Sequence, residues 1–330
     1  MNFNFKCIAV SIAFTALISF FGINCAKKPL PVKSNGYVKW MEFNLTEKAM
    51  KKAMQIDISS KDDDYPINWI DIISYAACKN GNHFKNDKLT SMDSFADKIK
   101  EGFTVEEITD DMKYFSYYKE TYSAVLEEFI GEYSITSPDG VETKKYGIKA
   151  FSPIADGYAF SHYSDFGAKR SYGFKRKHLG NDLLGSIGTP IVAIESGTVE
   201  ALGWNRYGGW RIGIRSFDKK RYYYYAHLKK DNPYARNLKE GDVVKAGDHI
   251  GYLGMTGYST RENVNNINIP HLHFGMQIIF DETQKEGNNE IWIDVYDIIN
   301  FLNSSKSTLI KDNDVLKRKY IFKDIENSGD

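Results

Sequence analysis

Four histidines and one aspartate stand in three short motifs, and any fold of this chain has to account for their spacing. The motifs are His178-Leu-Gly-Asn-Asp182, Tyr225-Ala-His227-Leu228 and His271-Leu-His273-Phe274. Only seven histidines occur in the 330 residues, so their concentration in one segment indicates a chemical role. A β-strand alternates faces at each residue, and a strand through the third motif therefore projects His271 and His273 to the same side.

The residue types of the first and third motifs are those of a metal site. Zinc binds imidazole nitrogen and carboxylate oxygen, and a catalytic zinc keeps three protein ligands and one open position. His178 and Asp182 are four residues apart, which returns the chain to about the same face in an extended or a helical segment. The second motif supplies a further imidazole, His227, which could act on a metal-bound water.

The segment from about Ser164 to Gln277 resembles the LytM/lysostaphin-type zinc metallopeptidases, the M23 family of peptidoglycan endopeptidases. The resemblance rests on the three motifs and on collinear runs around them, which together cover about a third of the chain. These runs are Asp165-Phe-Gly-Ala-Lys-Arg-Ser-Tyr-Gly, Gly188-Thr-Pro-Ile-Val-Ala, Gly197-Thr-Val and the glycine-punctuated stretch from Glu240 to Gly257.

The resemblance implies a role for each motif residue. His178, Asp182 and His273 are expected to bind one Zn²⁺ per chain, and His227 and His271 to act on the water and the tetrahedral intermediate. Which of these two is the base and which stabilises the oxyanion stays open. The implied function is a zinc-dependent endopeptidase that hydrolyses peptide cross-links of bacterial peptidoglycan through a metal-activated water.

Two other functions are weighed against this one. A catalytically inactive M23-like scaffold or activator of other cell-wall hydrolases usually lacks zinc ligands, whereas all five site residues are present here. A zinc peptidase that acts on a protein or a secreted peptide also stays open. The 43 basic and 43 acidic residues balance, so nothing indicates a nucleic-acid partner, and the sequence does not predict an oligomeric state.

The chain departs from the family pattern at two places. The stretch Tyr258–Pro270 is longer than the usual turn and rich in Asn, which predicts a loop at the mouth of the site that either narrows the groove or is inert. Gly275 stands where family members often have Glu, which leaves a supporting carboxylate in doubt. The remaining histidines, His83, His162 and His249, receive no role.

The N-terminal residues 1–26 form a targeting segment. Cys7 to Ala26 is a run of uncharged residues long enough to cross a bilayer core of ~30 Å as a helix. We expect an uncleaved single-pass membrane anchor with the bulk of the chain outside the cytoplasm. The alternatives are a lipoprotein modified at Cys25 and a secreted protein released by cleavage. Three cysteines give no disulfide framework.

The rest of the chain predicts an α+β fold in four segments. Residues 27–36 are a linker, and 37–140 are a small helical domain. We interpret this domain as a spacer in preference to an inhibitory or wall-binding module. Residues 141–303 are an antiparallel β-sheet peptidase domain with an open groove, and 304–330 are a charged tail that we expect to fray. Strands are predicted at Thr189–Ile194, Thr198–Leu202, Trp210–Ser216, Arg221–Ala226, Asp248–Leu253 and His271–Phe280. Helices are predicted from Ala49, over Ile67–Cys78 and Ser91–Glu101, from Ile108, and through Tyr122–Ile130.

Overall fold

Helices occupy the first part of the chain, where apolar residues recur at helical spacing, and three of these helices begin after a polar cap, Thr46, Asn68 or Thr104. The computed structural model describes residues 37–85, 89–171, 175–287 and 289–324. Thr104 and Glu107 form a reciprocal capping box, and Gly81 ends a helix in the left-handed region with a φ of 61°. The helices are α1 (Glu47–Ser60), α2 (Trp69–Asn80), α3 (Thr90–Lys100), α4 (Val105–Thr109) and α5 (Phe115–Leu126).

The predicted helix through Tyr122–Ile130 is wrong at its end. Helix α5 stops at Leu126, a 3₁₀ turn follows over Glu127–Phe129, and Ile130 begins a strand. That strand, β1 (Ile130–Thr136), lies between β2 (Glu142–Ile148) and β16 (Ile321–Asp324) in an antiparallel sheet. Pairing with a strand almost 200 residues later is a long-range contact, which the local pattern around Ile130 does not contain.

The same pairing corrects the expectation that the C-terminal tail frays. Residues Leu309–Asp312 and Val315–Arg318 form the hairpin β14–β15, and β16 follows. Phe322 of β16 is buried against the rings of Tyr133 and Phe151. The guanidinium of Arg318 lies over the rings of Phe151 and Phe322. Aromatic burial thus holds a segment that is rich in charged residues.

A seven-stranded antiparallel sheet forms the centre of the second part of the chain. Its strands are β5 (Asn181–Leu184), β7 (Gly197–Asn205), β8 (Gly209–Ser216), β9 (Arg221–Ala226), β10 (Val243–Val244), β12 (His271–Ile278) and β13 (Ile291–Ile293). The strand order is β10-β7-β8-β9-β12-β13, with β5 paired to the first half of β12. Smaller ribbons pair β3 (Lys169–Ser171) with β4 (Lys175–Lys177) and β6 (Pro190–Val192) with β11 (His249–Tyr252). The six predicted strands are confirmed, and so is the mixed helix and antiparallel sheet class.

Helices and sheet share one core. Trp69 of α2 stacks on Phe301 of α6 (Tyr296–Leu302), with ring centroids 6.1 Å apart. The fully buried Arg221 of β9 donates to the carbonyl of Ala124 in α5 at 2.8 Å and to both oxygens of Glu195, at 2.8 and 3.0 Å. The contacts join all described residues into one compact unit, within Val32–Asp330, and the predicted domain boundaries stay predictions.

None of the helices in the described ranges is long and apolar enough to cross a membrane. The predicted membrane helix and targeting segment 1–26 lie outside the described residues, as does the linker 27–36.

Candidate metal centre

Strand register brings the three histidine motifs together. His271 and His273 both lie on β12, where Leu272 and Phe274 alternate with them and are fully buried on the opposite face. On one side of β12, His273 pairs with Asp182 of β5, and on the other side it pairs with Ala226, the residue before His227. Residues separated by more than 90 positions in sequence are therefore neighbours across two strand pairings.

His178 reaches the same point because the chain crosses β12 closely just before β5. Gly180 lies against β12 so tightly that a Cβ atom there would be 2.6 Å from the Phe274 carbonyl and 2.8 Å from the His273 ring. Only glycine fits, which explains the glycine in the first motif. The close crossing lets the buried His178 ring approach the ring of His273, with centroids 4.9 Å apart.

The ligand atoms of His178, Asp182 and His273 form a nearly equilateral triangle. The His178 Nε2 atom lies 3.0 Å from Asp182 Oδ1 and 2.9 Å from His273 Nδ1. The His273 Nδ1 atom lies 3.0 Å from the same carboxylate oxygen. In a tetrahedral zinc site with bonds of about 2.0–2.1 Å, ligand atoms are about 3.3 Å apart, so the observed spacing fits a single small cation.

A second observation favours a cation at this triangle. The His178 Nδ1 atom lies 3.1 Å from Asp165 Oδ2, so its proton points to Asp165. With the proton on Nδ1, the Nε2 atom turns a lone pair toward the Asp182 oxygen. Two electron-rich atoms at this distance repel each other unless a positive charge lies between them. The donor set therefore fits a divalent metal ion such as zinc.

Arg170 and Asp165 support the ligands from outside the triangle. The Arg170 guanidinium donates to Asp165 Oδ2 at 2.6 Å and to Asp182 Oδ2 at 3.1 Å. Asp182 thus has one oxygen fixed by Arg170 and the other turned to the two imidazoles. Hydrogen-bonded partners of this kind set the tautomer and orientation of metal ligands.

The pKa values of the ligands follow from burial and mutual contact. Burial raises the pKa of Asp182, but its contacts with the His178 and His273 rings, wherever these carry the proton, outweigh burial and hold this pKa below its usual range. Burial lowers the pKa of His273, against the opposing effect of Asp182. The carboxyl group is therefore ionised, and the His273 ring favours the neutral form that binds metals.

His227 and His271 stand beside the triangle with their ring orientation fixed by backbone carbonyls. His227 Nδ1 donates to the Thr256 carbonyl at 2.9 Å, and His271 Nδ1 donates to the Ile269 carbonyl at 2.8 Å. Each ring thereby keeps the lone pair of Nε2 available, and the two ring centroids are 4.8 Å apart. Burial, with a contribution from His271 and His273, lowers the pKa of His227 well below its ordinary value, so this ring is neutral near pH 7.

The backbone of His227 is unusual for a residue with a side chain. Its φ is 61°, in the left-handed region, and its N–H donates to the Gly208 carbonyl at 2.7 Å. This conformation costs about 1–3 kcal/mol, and such strain is often found at functional sites. It turns the ring from the end of β9 toward β12.

The triangle of ligand atoms from His178, Asp182 and His273 opens into a cavity of about 60 Å³. Besides site residues, side chains of Arg170, Arg176, Tyr207, Tyr224 and Tyr258 line it. Arg170 belongs to one of the runs that carry the family resemblance, but the sequence assigned it no role. Arg176, Tyr207 and Tyr224 were not predicted as site residues. The one signal in the sequence for Arg176 was its position two residues before His178.

The two departures from the family pattern are resolved differently. The Asn-rich stretch begins at Tyr258, whose ring is 5.7 Å from that of His227, so its first residue lies at the site. The rest folds back, with Asn263 accepting from the Trp210 indole at 3.0 Å. At Gly275 a Cβ atom would be 2.8 Å from the Leu179 carbonyl and 2.9 Å from the Trp292 ring, so no side chain fits there.

The histidines without a predicted role lie away from the triangle. His162 bridges Asn181 and Asn300 at 2.5 and 3.0 Å, which supports the start of β5 from helix α6. His249 lies in β11, and burial lowers its pKa to about 4. Within the described ranges, His178, Asp182 and His273 form the one group of His, Cys, Asp or Glu side chains arranged to hold a metal ion.

Comparison with known proteins finds a family match over the segment that holds most of the site. Residues 176–288 match Peptidase family M23. The chain is 41% identical over 117 residues to the L-Ala–D-Glu endopeptidase of Bacillus subtilis, covering 36% of this chain and 34% of that protein. It is 43% identical over 98 residues to the glycyl-glycine endopeptidase of Staphylococcus capitis, covering 29% of this chain and 24% of that protein.

A solved structure matches over most of the chain. The crystal structure of lytM from Ruminococcus gnavus superposes with a TM-score of 0.54 over 81% of this chain and 91% of that one. The sequences are 22% identical, so this likeness concerns the fold alone. The chain spans about a third or less of the length of the curated relatives named above.

Proposed function

We propose that this chain is a zinc-dependent endopeptidase that hydrolyses peptide cross-links of bacterial peptidoglycan, on the support of its match to Peptidase family M23 over residues 176–288 and its likeness to an L-Ala–D-Glu endopeptidase. The observation that carries the proposal is the convergence of the three ligand atoms of His178, Asp182 and His273 within 3.0 Å of one another. Two further imidazoles border the same point, each with its Nδ1 atom held by a backbone carbonyl.

The proposed metal ligands are His178 through Nε2, Asp182 through Oδ1 and His273 through Nδ1. The chemistry that zinc supplies at such a site is polarisation of the scissile carbonyl and a lower pKa for water. Three protein ligands leave room for water and substrate, which is typical of catalytic rather than structural zinc sites.

His227 and His271 are proposed to move protons during hydrolysis. A neutral ring whose Nδ1–H is held by a carbonyl can accept a proton at Nε2 from the attacking water and pass it to the leaving amine. In the protonated form the same Nε2–H can donate to the oxyanion that develops on the scissile carbonyl. The hydrogen bonds to Thr256 and Ile269 keep both rings aimed at this position.

Digestion of purified peptidoglycan by the full chain tests this proposal. Products are identified by mass spectrometry with zinc added or removed by a chelator. We expect cleaved peptide bonds that disappear on chelation. His178→Ala, Asp182→Ala and His273→Ala should each lose both bound zinc and cleavage, with zinc content measured by metal analysis.

Two results would count against the proposal. A full zinc complement in His273→Ala would contradict the ligand assignment. A chain that holds zinc and is folded, yet cleaves no bond of the wall peptide, would instead support a scaffold or activator role, or a protein substrate.

We also propose that the protein acts outside the cytoplasm, with residues 1–26 as its membrane anchor. The support is the uncharged run from Cys7 to Ala26 and the location of peptidoglycan outside the membrane. Protease treatment of intact spheroplasts, followed by detection of a C-terminal epitope, tests the orientation. Release into the medium would favour a cleaved signal, and loss of membrane association in Cys25→Ser would favour lipid modification.

A further inference from the structure

Arg176 presents a guanidinium to the cavity beside the proposed metal ligands. It lies in the middle of β4, and His178 is the first residue after that strand. Arg176 lines the same cavity as His178, His227 and His273. A group bound there is in reach of the metal triangle.

Two aromatic rings hold the Arg176 side chain in place. Its guanidinium carbon lies 5.1 Å from the ring centroid of Tyr258 and 5.7 Å from that of Tyr207. One terminal nitrogen donates to the Tyr258 hydroxyl. The Nε atom is buried and has no hydrogen-bond partner within the described ranges. The side chain is therefore ordered by its neighbours but keeps a buried donor unused.

Arg170 has carboxylate partners that Arg176 lacks among the described residues. Arg170 and Arg176 are direct cross-strand partners in the β3–β4 hairpin. Arg170 forms ion pairs with Asp165 and Asp182. Among the residues that the structure describes, no carboxylate pairs with Arg176. A guanidinium stays charged at any physiological pH, and a partly buried charge is costly without an anion. The cavity is thus complementary to a bound carboxylate.

The positive charge of β3 and β4 also favours a bound carboxylate. Lys169, Arg170, Lys175, Arg176 and Lys177 make up all but one residue of β3 and β4, in a chain whose net charge is zero. A local cluster of one sign attracts substrates of the opposite charge to the neighbouring cleft.

We propose that Arg176 is a specificity-determining residue that binds a free carboxylate of the substrate next to the scissile bond. This inference rests on the proposed function. The preferred substrate would be a wall peptide whose residue beside the cleaved bond keeps an ionised carboxyl group, as a D-glutamyl residue joined through its side chain does. A glycine bridge lacks that group. Arginine forms paired, charge-assisted hydrogen bonds with carboxylates, and the unused Nε–H with a terminal N–H forms the matching fork.

A pair of synthetic peptides tests the inference directly. Both contain L-Ala–D-Glu joined through the glutamyl side chain to L-Lys–D-Ala, and they differ only in a free α-carboxylate or an α-carboxamide. With the zinc-loaded full chain, we expect kcat/KM to be about 10- to 100-fold higher for the carboxylate peptide. Arg176→Gln should bring the ratio of kcat/KM for the carboxylate and amide peptides close to 1.

Lys177→Gln is the matched control. It removes the same charge from the adjacent position of the same strand, but Lys177 is exposed and alternates to the opposite face. This variant should keep the wild-type preference, which separates a direct contact from a general loss of positive charge. Unchanged thermal unfolding of Arg176→Gln checks that the variant is folded.

Binding measured without turnover gives an independent readout. In the His271→Ala background, calorimetry with the same two peptides should show about 10- to 100-fold tighter binding of the carboxylate form, and Arg176→Gln should abolish the difference.

Failure of the inference and failure of the proposed function give different results. Equal cleavage and equal binding of the two peptides, or cleavage of glycine bridges with neither glutamyl peptide bound, would overturn the role of Arg176 while leaving an active peptidase. If the zinc-loaded chain cleaves no wall peptide at all, the proposed function fails, and the role of Arg176 in hydrolysis fails with it.

Discussion

Replacing Asp165 by Asn isolates how much the support around the metal ligands contributes to metal affinity. Asp165 is not a proposed ligand, yet its Oδ2 atom lies 3.1 Å from His178 Nδ1 and 2.6 Å from the Arg170 guanidinium. Its side chain is 25% exposed, and that of His178 is 3% exposed, so the contact to the ring is mostly shielded from water. The Asn side chain has nearly the same shape but no charge.

The magnitude follows from the change in hydrogen-bond type. A hydrogen bond to a charged acceptor contributes about 1.5–3 kcal/mol, and one between neutral groups about 1 kcal/mol. The substitution should therefore weaken zinc binding by about 1–2 kcal/mol, which raises the dissociation constant about 5- to 30-fold. The positive ring charge that metal binding induces on His178 is also less well compensated, which acts in the same direction.

The assay is competition for zinc between the full chain and a chromophoric chelator at fixed pH. Asp314→Asn is the control, because Asp314 is a surface carboxylate with 88% of its side chain exposed. Circular dichroism verifies that Asp165→Asn is folded. A zinc dissociation constant within twofold of wild type would refute the assignment of Asp165 as the partner that orients His178.

Three further predictions concern turnover, pH and stability. His227→Ala and His271→Ala should keep a full zinc complement by metal analysis and lower peptidoglycan turnover about 100-fold or more; loss of zinc in either would make it a ligand. Burial lowers the pKa of His249 to about 4, against about 6.5 in the unfolded chain. The free energy of unfolding should therefore fall by up to about 3 kcal/mol as pH falls from 6.5 to 4. The free energy of unfolding of His249→Gln, measured in urea, should lack this share of the pH dependence. A plot of unfolding free energy against pH with the wild-type slope would contradict the prediction. Arg221→Met leaves the buried Glu195 carboxyl group without its guanidinium partner and should lower the free energy of unfolding in urea by about 3–5 kcal/mol. A decrease below about 1 kcal/mol would mean that the pair contributes little to stability.

The helices and strands were largely predictable because their signals are local. The capping residues Thr104 and Glu107 are three positions apart, and the alternation along His271–Ile278 is visible within one strand. The errors lie where a distant segment decides the conformation. Ile130 and Phe322 carry no mark of belonging to one sheet, because their pairing depends on how the chain returns after nearly 200 residues.

For the site, the sequence alone determined the kinds of atoms available and part of their geometry. The two motifs with His178, Asp182 and His273 contain the donor types that zinc prefers, and the strand period puts His271 and His273 on one side. These properties depend only on side-chain chemistry and on backbone periodicity, which need no knowledge of the fold.

Only the tertiary structure decided how those atoms are used. The ring nitrogen that faces the triangle is set for His178 by Asp165, and the orientation of His227 is set by the Thr256 carbonyl. Arg170 supports the proposed ligands because it lies between two carboxylates, whereas Arg176 lies among tyrosine rings and has no carboxylate partner in the described part of the chain. The tautomer of an imidazole and the partner of a guanidinium depend on atoms within about 3 Å in space, and in this fold most of those atoms come from other elements of the chain.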